Sequence, residues 1–363
     1  MPVLTKNIIR ENYDDLISSS HKDSYIKKTT GGSTGVPLSL AYTQESYSRR
    51  NAVMWRGYSW AKLPPGAKAV YLWGVNLDDT SFYTKLKEDL YNKFYNRYVF
   101  SCFGLNDSKM HEFVELVNKV KPEVIVSYVN PIFHLSNWLL ENNIKMFSPK
   151  SIITGAEPLY EFQRNTIEEA IGSEVYNTYG CREVMLIASE CEKKKGLHIN
   201  SDHLVVESLN DKGQKVQNEL GELVITDLHN YGMPFIRYKN EDLVVLSDES
   251  CECGRGLPLM KSVEGRVLDC IKTPKNKIIP GELFPHYLKD FSGIEKFQVI
   301  QEELSSLIVK LVVNNNFGNS ELDKITNSLH QVIGDDVELN IQIVDEIALT
   351  KSGKHRVTIS LLK

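Results

Sequence analysis

The stretch SKMHEFVELVNKVKPEVIVSYV, residues 108–129, joins two patterns that together indicate an α/β fold. Its first part carries apolar residues at helical spacing on one face, namely Met110, Phe113, Val114, Val117 and Val120. Its second part, EVIVSYV (123–129), is a short run rich in β-branched residues, which is typical of a strand that is covered on both faces. The stretch therefore predicts an amphipathic helix that leads into a buried strand.

Two similar runs flank this stretch, AKAVYLWGV (67–75) and SIITGA (151–156), and both predict buried strands. Strands that alternate with helical patterns indicate an α/β domain with a largely parallel sheet. Further along, GELVITDL (221–228) and DLVVLSD (242–248) predict strands joined by loops, in a more antiparallel arrangement. We therefore expect a large N-terminal α/β domain with mixed sheets.

The last hundred residues have a different order of predicted strands and helices. KFQVIQEELSSLIVKLVVN (296–314) predicts two strands around a turn, and VELNIQIV (337–344) predicts a third strand. Between them, residues 319–334 form an amphipathic pattern that predicts a helix with Ser320 as its N-cap. This ββαβ order predicts a small, mobile α+β C-terminal domain, with domains at 1–267 and 268–363 and a joint near Gly265–Asp269.

Composition limits the classes of function. The chain has 363 residues, of which 42% are hydrophobic and 25% charged, and its net charge of −5 argues against nucleic acid as the main partner. No apolar run approaches the ~18 residues of a membrane span, and the N-terminus lacks a secretory segment. Six cysteines are too few for a disulfide scaffold at this length, so a cytoplasmic location is expected. Nothing in the pattern indicates the oligomeric state.

The segment KKTTGGSTGVPLSL (27–40) interleaves glycines and hydroxyl side chains. Glycines let backbone N–H groups converge, and hydroxyls add donors, so the segment suits wrapping an anion. It lacks the lysine that ends a P-loop, and read alone it is equally compatible with a flexible loop.

Four further motifs follow in order: ITGAEPLYEFQ (153–163) with YNTYGCREV (176–184), GMPFIRYKNEDL (232–243), GRVLDCIKTPKNKIIPGELF (265–284), and ALTKSGKHRVTIS (348–360). Taken together with the glycine–hydroxyl loop, they resemble the adenylate-forming acyl-CoA synthetase superfamily, and most closely its phenylacetate–CoA ligase branch, which includes capsule-polysaccharide biosynthesis relatives. The resemblance covers essentially the whole chain. It implies an ATP-dependent, AMP-forming ligase that adenylates a small carboxylic acid and passes the acyl group to CoA or to an amine or hydroxyl acceptor, as in envelope polysaccharide biosynthesis.

The resemblance also implies roles for individual residues in holding ATP. The loop residues that would close over the β- and γ-phosphates are Thr30, Gly31, Gly32, Ser33, Thr34 and Gly35, with Thr34 taking part in catalysis. Those that would line the adenine or lie beside the base are Gly155, Ala156, Glu157 and Tyr179. Asp242 would bind the ribose hydroxyls with support from Arg237 and Tyr238, and Arg266 would lie near the ribose and phosphate.

Two catalytic roles and one hinge complete the implied site. Glu183 would bind Mg²⁺, Lys354 would bridge the carboxylate and the α-phosphate, and the small domain would turn about Asp269. The chemistry explains these residue types, since a carboxylate must approach the α-phosphorus of ATP against its negative charge. Mg²⁺ prefers hard oxygen ligands, and a lysine contact at ~4 Å contributes roughly 4 kcal/mol at an effective dielectric of ~20.

The cysteines form a second constellation. Cys191 and His198 lie in SECEKKKGLHINSDH, and Cys251 and Cys253 lie in CECGRGLP. Three thiols and one imidazole suit a tetrahedral structural zinc site, and the resemblance favours it because similar placements occur in the phenylacetate–CoA ligase branch. The alternative is four reduced, unrelated side chains.

Two departures from the family pattern leave alternatives open. Relatives carry several dozen more residues before the phosphate loop, so this chain is either a short version or lacks that start. Lys275 stands where the family has a glycine beside the pantetheine of CoA, which makes adenylation better supported than thioester formation. An adenylyltransferase that moves AMP to a small acceptor, or a non-catalytic nucleotide-binding relative, remain the alternative functions.

Overall fold

The computed structural model describes residues 1–21, 25–29, 38–74, 82–102, 105–266, 271–275, 278–279, 284, 288, 291, 293–348 and 356–362. These residues form two compact units. The larger unit takes in the described parts of Met1–Asn240 and Val244–Val263, and the smaller one those of Glu264–Lys351 and 356–362, with Glu241–Leu243. The predicted domain boundary between 267 and 268 lies outside the described residues.

The helices of the described chain are α1 (Lys6–Glu11), α2 (Tyr13–Leu16), α3 (Gln44–Trp60), α4 (Phe82–Phe94), α5 (Asp107–Val120), α6 (Val129–Glu141), α7 (Glu161–Ile171) and α8 (Asn319–Ile333). The strands of the larger unit are β1 (Tyr25–Thr29), β2 (Ser39–Thr43), β3 (Ala69–Trp73), β4 (Arg97–Ser101), β5 (Val124–Tyr128), β6 (Ser151–Gly155), β7 (Glu174–Cys181), β8 (Met185–Glu190), β9 (Leu197–Ile199), β10 (Leu204–Leu209) and β11 (Leu220–Asp227). Those that follow are β12 (Tyr238–Ser247), β13 (Leu259–Arg266), β14 (Ile271–Lys272), β15 (Ile278–Ile279), β16 (Ile294–Glu303), β17 (Ser306–Val313), β18 (Glu338–Ile343) and β19 (Thr358–Ser360).

A large sheet has the strand order β10-β11-β12-β13-β9-β8-β7-β6-β5-β3-β4. Strands β4, β3, β5, β6 and β7 pair in parallel, as the strand–helix alternation predicted. Strands β7, β8 and β9 then pair antiparallel, and β10 with β11 likewise. The prediction of an α/β domain with a mixed sheet is therefore confirmed.

The parallel strands are covered on both faces. On one face, all five apolar positions of α5 are buried, and they pack with alternate residues of the strands, such as Val70 and Ile125. On the other face, Tyr71 and Val126 pack with residues near the end of α3. This double cover explains why these strands are continuously apolar rather than alternating.

The smaller unit has the predicted ββαβ order. Strands β16 and β17 form an antiparallel hairpin, β18 pairs parallel to β17, and β19 adds a further parallel strand beside β16. The helix α8 buries Ile325 and Leu329, as its periodicity predicted. The predicted N-cap is wrong: the cap is Gly318, without a side-chain hydrogen bond, because the helix begins one residue before Ser320.

Several predicted functional residues lie outside the described residues, namely Thr30, Gly31, Gly32, Ser33, Thr34, Gly35, Asp269 and Lys354. Arg266 ends β13, and only its backbone is described. In the part of the chain that is described, no helix combines the length and apolarity that crossing a membrane requires.

Candidate functional site

Three predicted adenine-side residues lie at the carboxyl end of β6. Gly155 is needed there because a Cβ atom would lie 2.8 Å from Thr178 Oγ1 on the adjacent strand β7. Ala156 has a φ of 67°, so the chain turns sharply at this point. The Glu157 carboxylate accepts the backbone N–H of Asn130 at 2.8 Å, in the first turn of α6. The structure thus gives Glu157 a local role, which is to satisfy a helix N-terminus.

The motif residues 176–184 form the hairpin between β7 and β8. Gly180 lies where a Cβ atom would be 2.2 Å from the carbonyl oxygen of Met185, so the tight pairing of the hairpin requires glycine. Tyr179, half-buried, accepts a hydrogen bond at its hydroxyl from Asn240 Nδ2 at 3.1 Å. Since β7 runs parallel to β6, the turn of the hairpin lies at the same edge of the sheet at which Gly155 ends β6, and open parallel sheets bind ligands at this edge.

Glu183 lies in the turn of this hairpin and is 7% exposed. Its Oε1 accepts a hydrogen bond from the buried hydroxyl of Tyr238, at 2.8 Å. Among the described residues, no hydrogen bond reaches its Oε2. Asp242 lies four residues beyond Tyr238 in β12, and Arg237 pairs with Glu207 at 3.1 Å.

The base of the glycine–hydroxyl loop is tied to this turn. Strands β1 and β2 flank the loop and pair antiparallel, from Tyr25↔Thr43 to Thr29↔Ser39. Arg182 Nη1 donates to the carbonyl of Thr29 at 3.0 Å, and the hydroxyl of Tyr42 donates to the carbonyl of Arg182 at 2.6 Å. Both strands that enter and leave the loop are thereby held against the residue that precedes Glu183.

A buried arginine that the sequence analysis missed completes this arrangement. Arg50 of α3 donates from Nη1 to the carbonyl of Glu183 at 2.7 Å and from Nη2 to Asp227 Oδ2 at 2.5 Å. Its guanidinium lies over the ring of Tyr42, 4.0 Å from the centroid. The positions of α3 that are buried in the structure are Ser46, Arg50, Val53 and Gly57, and Arg50 is the charged member of this set; the sequence of the helix, which also carries Glu45, Arg49 and Arg56, does not single it out.

Aromatic residues lie at the same edge of the sheet. Trp73 ends β3 and Tyr128 ends β5, and their ring centroids are 4.0 Å apart. Burial, the nearby Cys102 and the carboxylate of Glu157 raise the pKa of Tyr128 to about 12. Burial first, and then Glu157, also raise the pKa of Cys102 to about 11, so this thiol stays protonated.

The four predicted metal ligands come together. The ligand atoms of Cys191, His198, Cys251 and Cys253 all lie within 4.8 Å of one another. Sγ of Cys191 is 3.7 Å from Sγ of Cys251, and Sγ of Cys253 is 3.3 Å from Nε2 of His198. A tetrahedral zinc ion would hold two sulfurs about 3.8 Å apart and a sulfur and a nitrogen about 3.6 Å apart, given its usual bond lengths. The cluster therefore fits a zinc ion with small adjustments.

Polar and aromatic side chains surround this cluster. The His198 ring makes an edge contact with Trp60, at the end of α3, with centroids 5.6 Å apart. Arg255 lies over the same indole at 5.0 Å and pairs with Glu192 at 2.9 Å. Burial opposes ionisation of the Cys253 thiol, but hydrogen bonds from the backbone and side chain of Arg255 outweigh it and lower its pKa to about 7, whereas burial raises the pKa of the neighbouring Cys191 thiol to about 11. A thiolate is the form that binds metal.

Comparisons with known proteins find relatives of this chain. A family model described as the CapK C-terminal domain matches residues 271–361. Protein CapK of Staphylococcus aureus is 26% identical, with 100% of this chain and 80% of that protein covered. A phenylacetate-coenzyme A ligase of Thermus thermophilus is 25% identical over 79% of this chain and 67% of its own length.

A solved structure shares the fold. It is a 2-hydroxyisobutyryl-CoA ligase in the postadenylation state, in complex with R3-HIB-AMP. The two folds superpose with a TM-score of 0.78 at 19% identity, covering 99% of this chain and 80% of the other.

Proposed function

Because this chain is related to CapK and to the phenylacetate–CoA ligases, and has the fold of adenylate-forming ligases, we propose that it is an ATP-dependent, AMP-forming ligase. It would adenylate a small carboxylic acid and pass the acyl group to an acceptor. The observation that carries this proposal is the joining of two motifs: the strands that flank the glycine–hydroxyl loop are hydrogen-bonded to the turn that carries Glu183.

Glu183 is the residue proposed to hold Mg²⁺. Its carboxylate is a hard oxygen donor, and Tyr238 binds one of its oxygens and fixes its direction. The metal ion would neutralise charge on the phosphates of ATP when bound. The fit of Glu183 to a metal ion rests on two observations. Its carboxylate is almost fully buried, and within the described part of the chain only its Oε1 accepts a hydrogen bond.

The other residues are proposed to position the nucleotide and the reacting groups. The loop residues 30–35 would wrap the β- and γ-phosphates with backbone N–H groups, and Thr34 would add a hydroxyl donor. Tyr179 would lie beside the base and Asp242 would bind the ribose, so that the α-phosphorus is held at a fixed point. Lys354 would stabilise the charge that develops as the carboxylate attacks, and this contact is worth about a thousandfold in rate if it forms mainly in the transition state.

The acceptor is proposed to be CoA or an amine or hydroxyl, including one on a sugar. Lys275, at the position where the family has glycine, is 77% exposed at its side chain and pairs with Asp336 at 3.3 Å. The ion pair places the Lys275 side chain where the family pattern has a glycine beside the pantetheine of CoA. This favours an acceptor other than CoA.

Zinc is proposed as a structural metal held by Cys191, His198, Cys251 and Cys253. Four protein ligands leave no open position, so the ion would fix the loops after β8 and β12 and would take no part in catalysis. The distances given above are the physical support for this assignment.

Pyrophosphate exchange into ATP tests the ligase proposal. We expect exchange that depends on one class of carboxylic acid, found by screening aryl acids, hydroxy acids and amino acids. Glu183→Gln should reduce exchange in that screen, whereas Glu45→Gln, an exposed acid on α3, should not. AMP transfer to a small acceptor without a carboxylate, or ATP binding without any exchange, would contradict the proposal and favour the adenylyltransferase or the non-catalytic alternative.

A further inference from the structure

Arg50 is a fully buried cation that touches the backbone of Glu183. Its side chain is 0% exposed, and its two terminal nitrogens bind two different acceptors, the carbonyl of Glu183 and the carboxylate of Asp227. We propose that Arg50 is a positioning residue: it holds the peptide of Glu183 so that the carboxylate faces the metal ion of Mg–ATP. This inference rests on the proposed function, since it assigns a role within the same site.

Charge balance supports a role other than simple stabilisation. A buried ion pair loses the hydration of both charges, and apolar residues of similar size are often equally stabilising in its place. Asp227 neutralises Arg50, so the guanidinium supplies a donor beside Glu183 without placing a net positive charge next to a divalent cation. The carboxylate of Glu183 has a different partner, because its Oε1 accepts a hydrogen bond from Tyr238.

The geometry requires arginine. Two nitrogens at fixed angles reach the carbonyl at 2.7 Å and Asp227 at 2.5 Å, while the flat face lies on the ring of Tyr42. A lysine ammonium is a compact point charge and cannot stack on the ring and span two acceptors in this way. Tyr42 is itself bound to the carbonyl of Arg182.

Two consecutive carbonyls are therefore held from outside the hairpin. Tyr42 of β2 binds that of Arg182, and Arg50 of α3 binds that of Glu183. Both elements follow the glycine–hydroxyl loop directly in the chain, so the peptide that carries the carboxylate is fixed relative to the base of the loop. Rotation of the peptide after Glu183 would break the bond to Arg50 and release the backbone from which the carboxylate extends.

Binding of Mn²⁺ and ATP, measured by electron paramagnetic resonance and calorimetry, tests the inference without knowledge of the acid. The variants are Arg50→Lys and the paired variant Arg50→Met with Asp227→Leu, which leaves no unpaired buried charge. We expect both to bind Mn²⁺–ATP about tenfold more weakly or worse, as for loss of a hydrogen bond from a charged donor. Their affinity for ATP in a metal chelator should stay at the wild-type value.

Arg56→Met is the matched control, because Arg56 lies on the same helix but pairs with Asp202 and not with Glu183. The distance between Arg56 Nη2 and Asp202 Oδ1 is 2.7 Å. This variant should bind Mn²⁺–ATP as the wild type does. Wild-type affinity for Mn²⁺–ATP in either Arg50 variant would overturn the inference, and so would an equal loss of metal-free ATP binding, since that indicates a structural role only. The paired variant keeps the test decisive if Arg50→Lys does not fold.

Glu183→Gln separates this inference from the proposed function. If Glu183→Gln weakens Mn²⁺–ATP binding and the folded Arg50 variants do not, the positioning role alone is wrong. If Glu183→Gln has no effect on metal-dependent binding, the proposed magnesium site fails, and the role of Arg50 fails with it.

Discussion

Replacing one ligand of the Cys/His cluster, by Cys251→Ser, should lower the melting temperature of the protein sharply. The cluster joins the loop after β8 to the loop after β12, so a metal ion here binds the folded state and not the separated segments. A ligand present at 1,000 times its dissociation constant stabilises the fold by about 4 kcal/mol. For a unit of this size, each kcal/mol shifts the melting temperature by about 2–4 °C, so we expect a drop of about 8–16 °C.

The assay combines metal analysis with thermal unfolding. The wild type should purify with about one zinc ion per chain and should melt at a lower temperature after treatment with a strong chelator. Cys251→Ser should contain little zinc and should not respond to the chelator. Cys102→Ala is the control, because Cys102 is a buried thiol in the core beside α5 and outside the cluster, and it should keep its zinc. A wild-type protein without zinc, or one whose melting temperature ignores the chelator, would refute the reasoning.

Three further predictions concern the nucleotide site. Tyr238→Phe removes the hydroxyl bound to the Glu183 carboxylate and should raise the Mg²⁺ concentration for half-maximal exchange about tenfold, as expected for a hydrogen bond to a charged group; an unchanged Mg²⁺ dependence would contradict this role. Lys354→Ala should reduce acid-dependent exchange about a thousandfold while calorimetry shows nearly unchanged ATP affinity, and equal loss of both would contradict its proposed role. Glu157→Gln weakens the bond to the N–H of Asn130 and should lower the free energy of unfolding by about 1 kcal/mol in urea titrations, whereas a neutral effect would show that this contact does not matter for stability.

Local patterns predicted most of the fold. The helix 108–120 and the strands at 67–75, 123–129 and 151–156 appear within a few residues of their predicted bounds, because burial on both faces leaves a strong apolar signal. The prediction failed where the signal was weak. Ser320 offered a hydroxyl of the right type for an N-cap, but the helix begins at Asn319, so its cap is Gly318.

The site could be predicted in part, because its motifs are local while its supporting contacts are not. The resemblance that the motifs carried is confirmed by the relatives, and the four metal-ligand candidates come within 4.8 Å of one another although the sequence places them up to about sixty residues apart. The roles of individual residues in ATP binding remain predictions. Glu157 shows why: the motif assigns it to the adenine side, and the structure shows a hydrogen bond to a helix N-terminus, two roles that one carboxylate can combine.

Arg50 and Tyr42 belong to no motif, yet they determine how two motifs meet. Arg50 binds a residue 133 positions away and pairs with another 177 positions away, and no local pattern encodes such separations. What the structure shows is an anomaly, a charged residue among the buried positions of a helix. Since a buried charge without partners is strongly unfavourable, such a residue must find acceptors elsewhere in the fold, and the acceptors here are the carbonyl of Glu183 and the carboxylate of Asp227. In this chain such a residue lies close after the glycine-rich loop and binds the peptide of Glu183, and for this reason we propose that it holds that peptide in place.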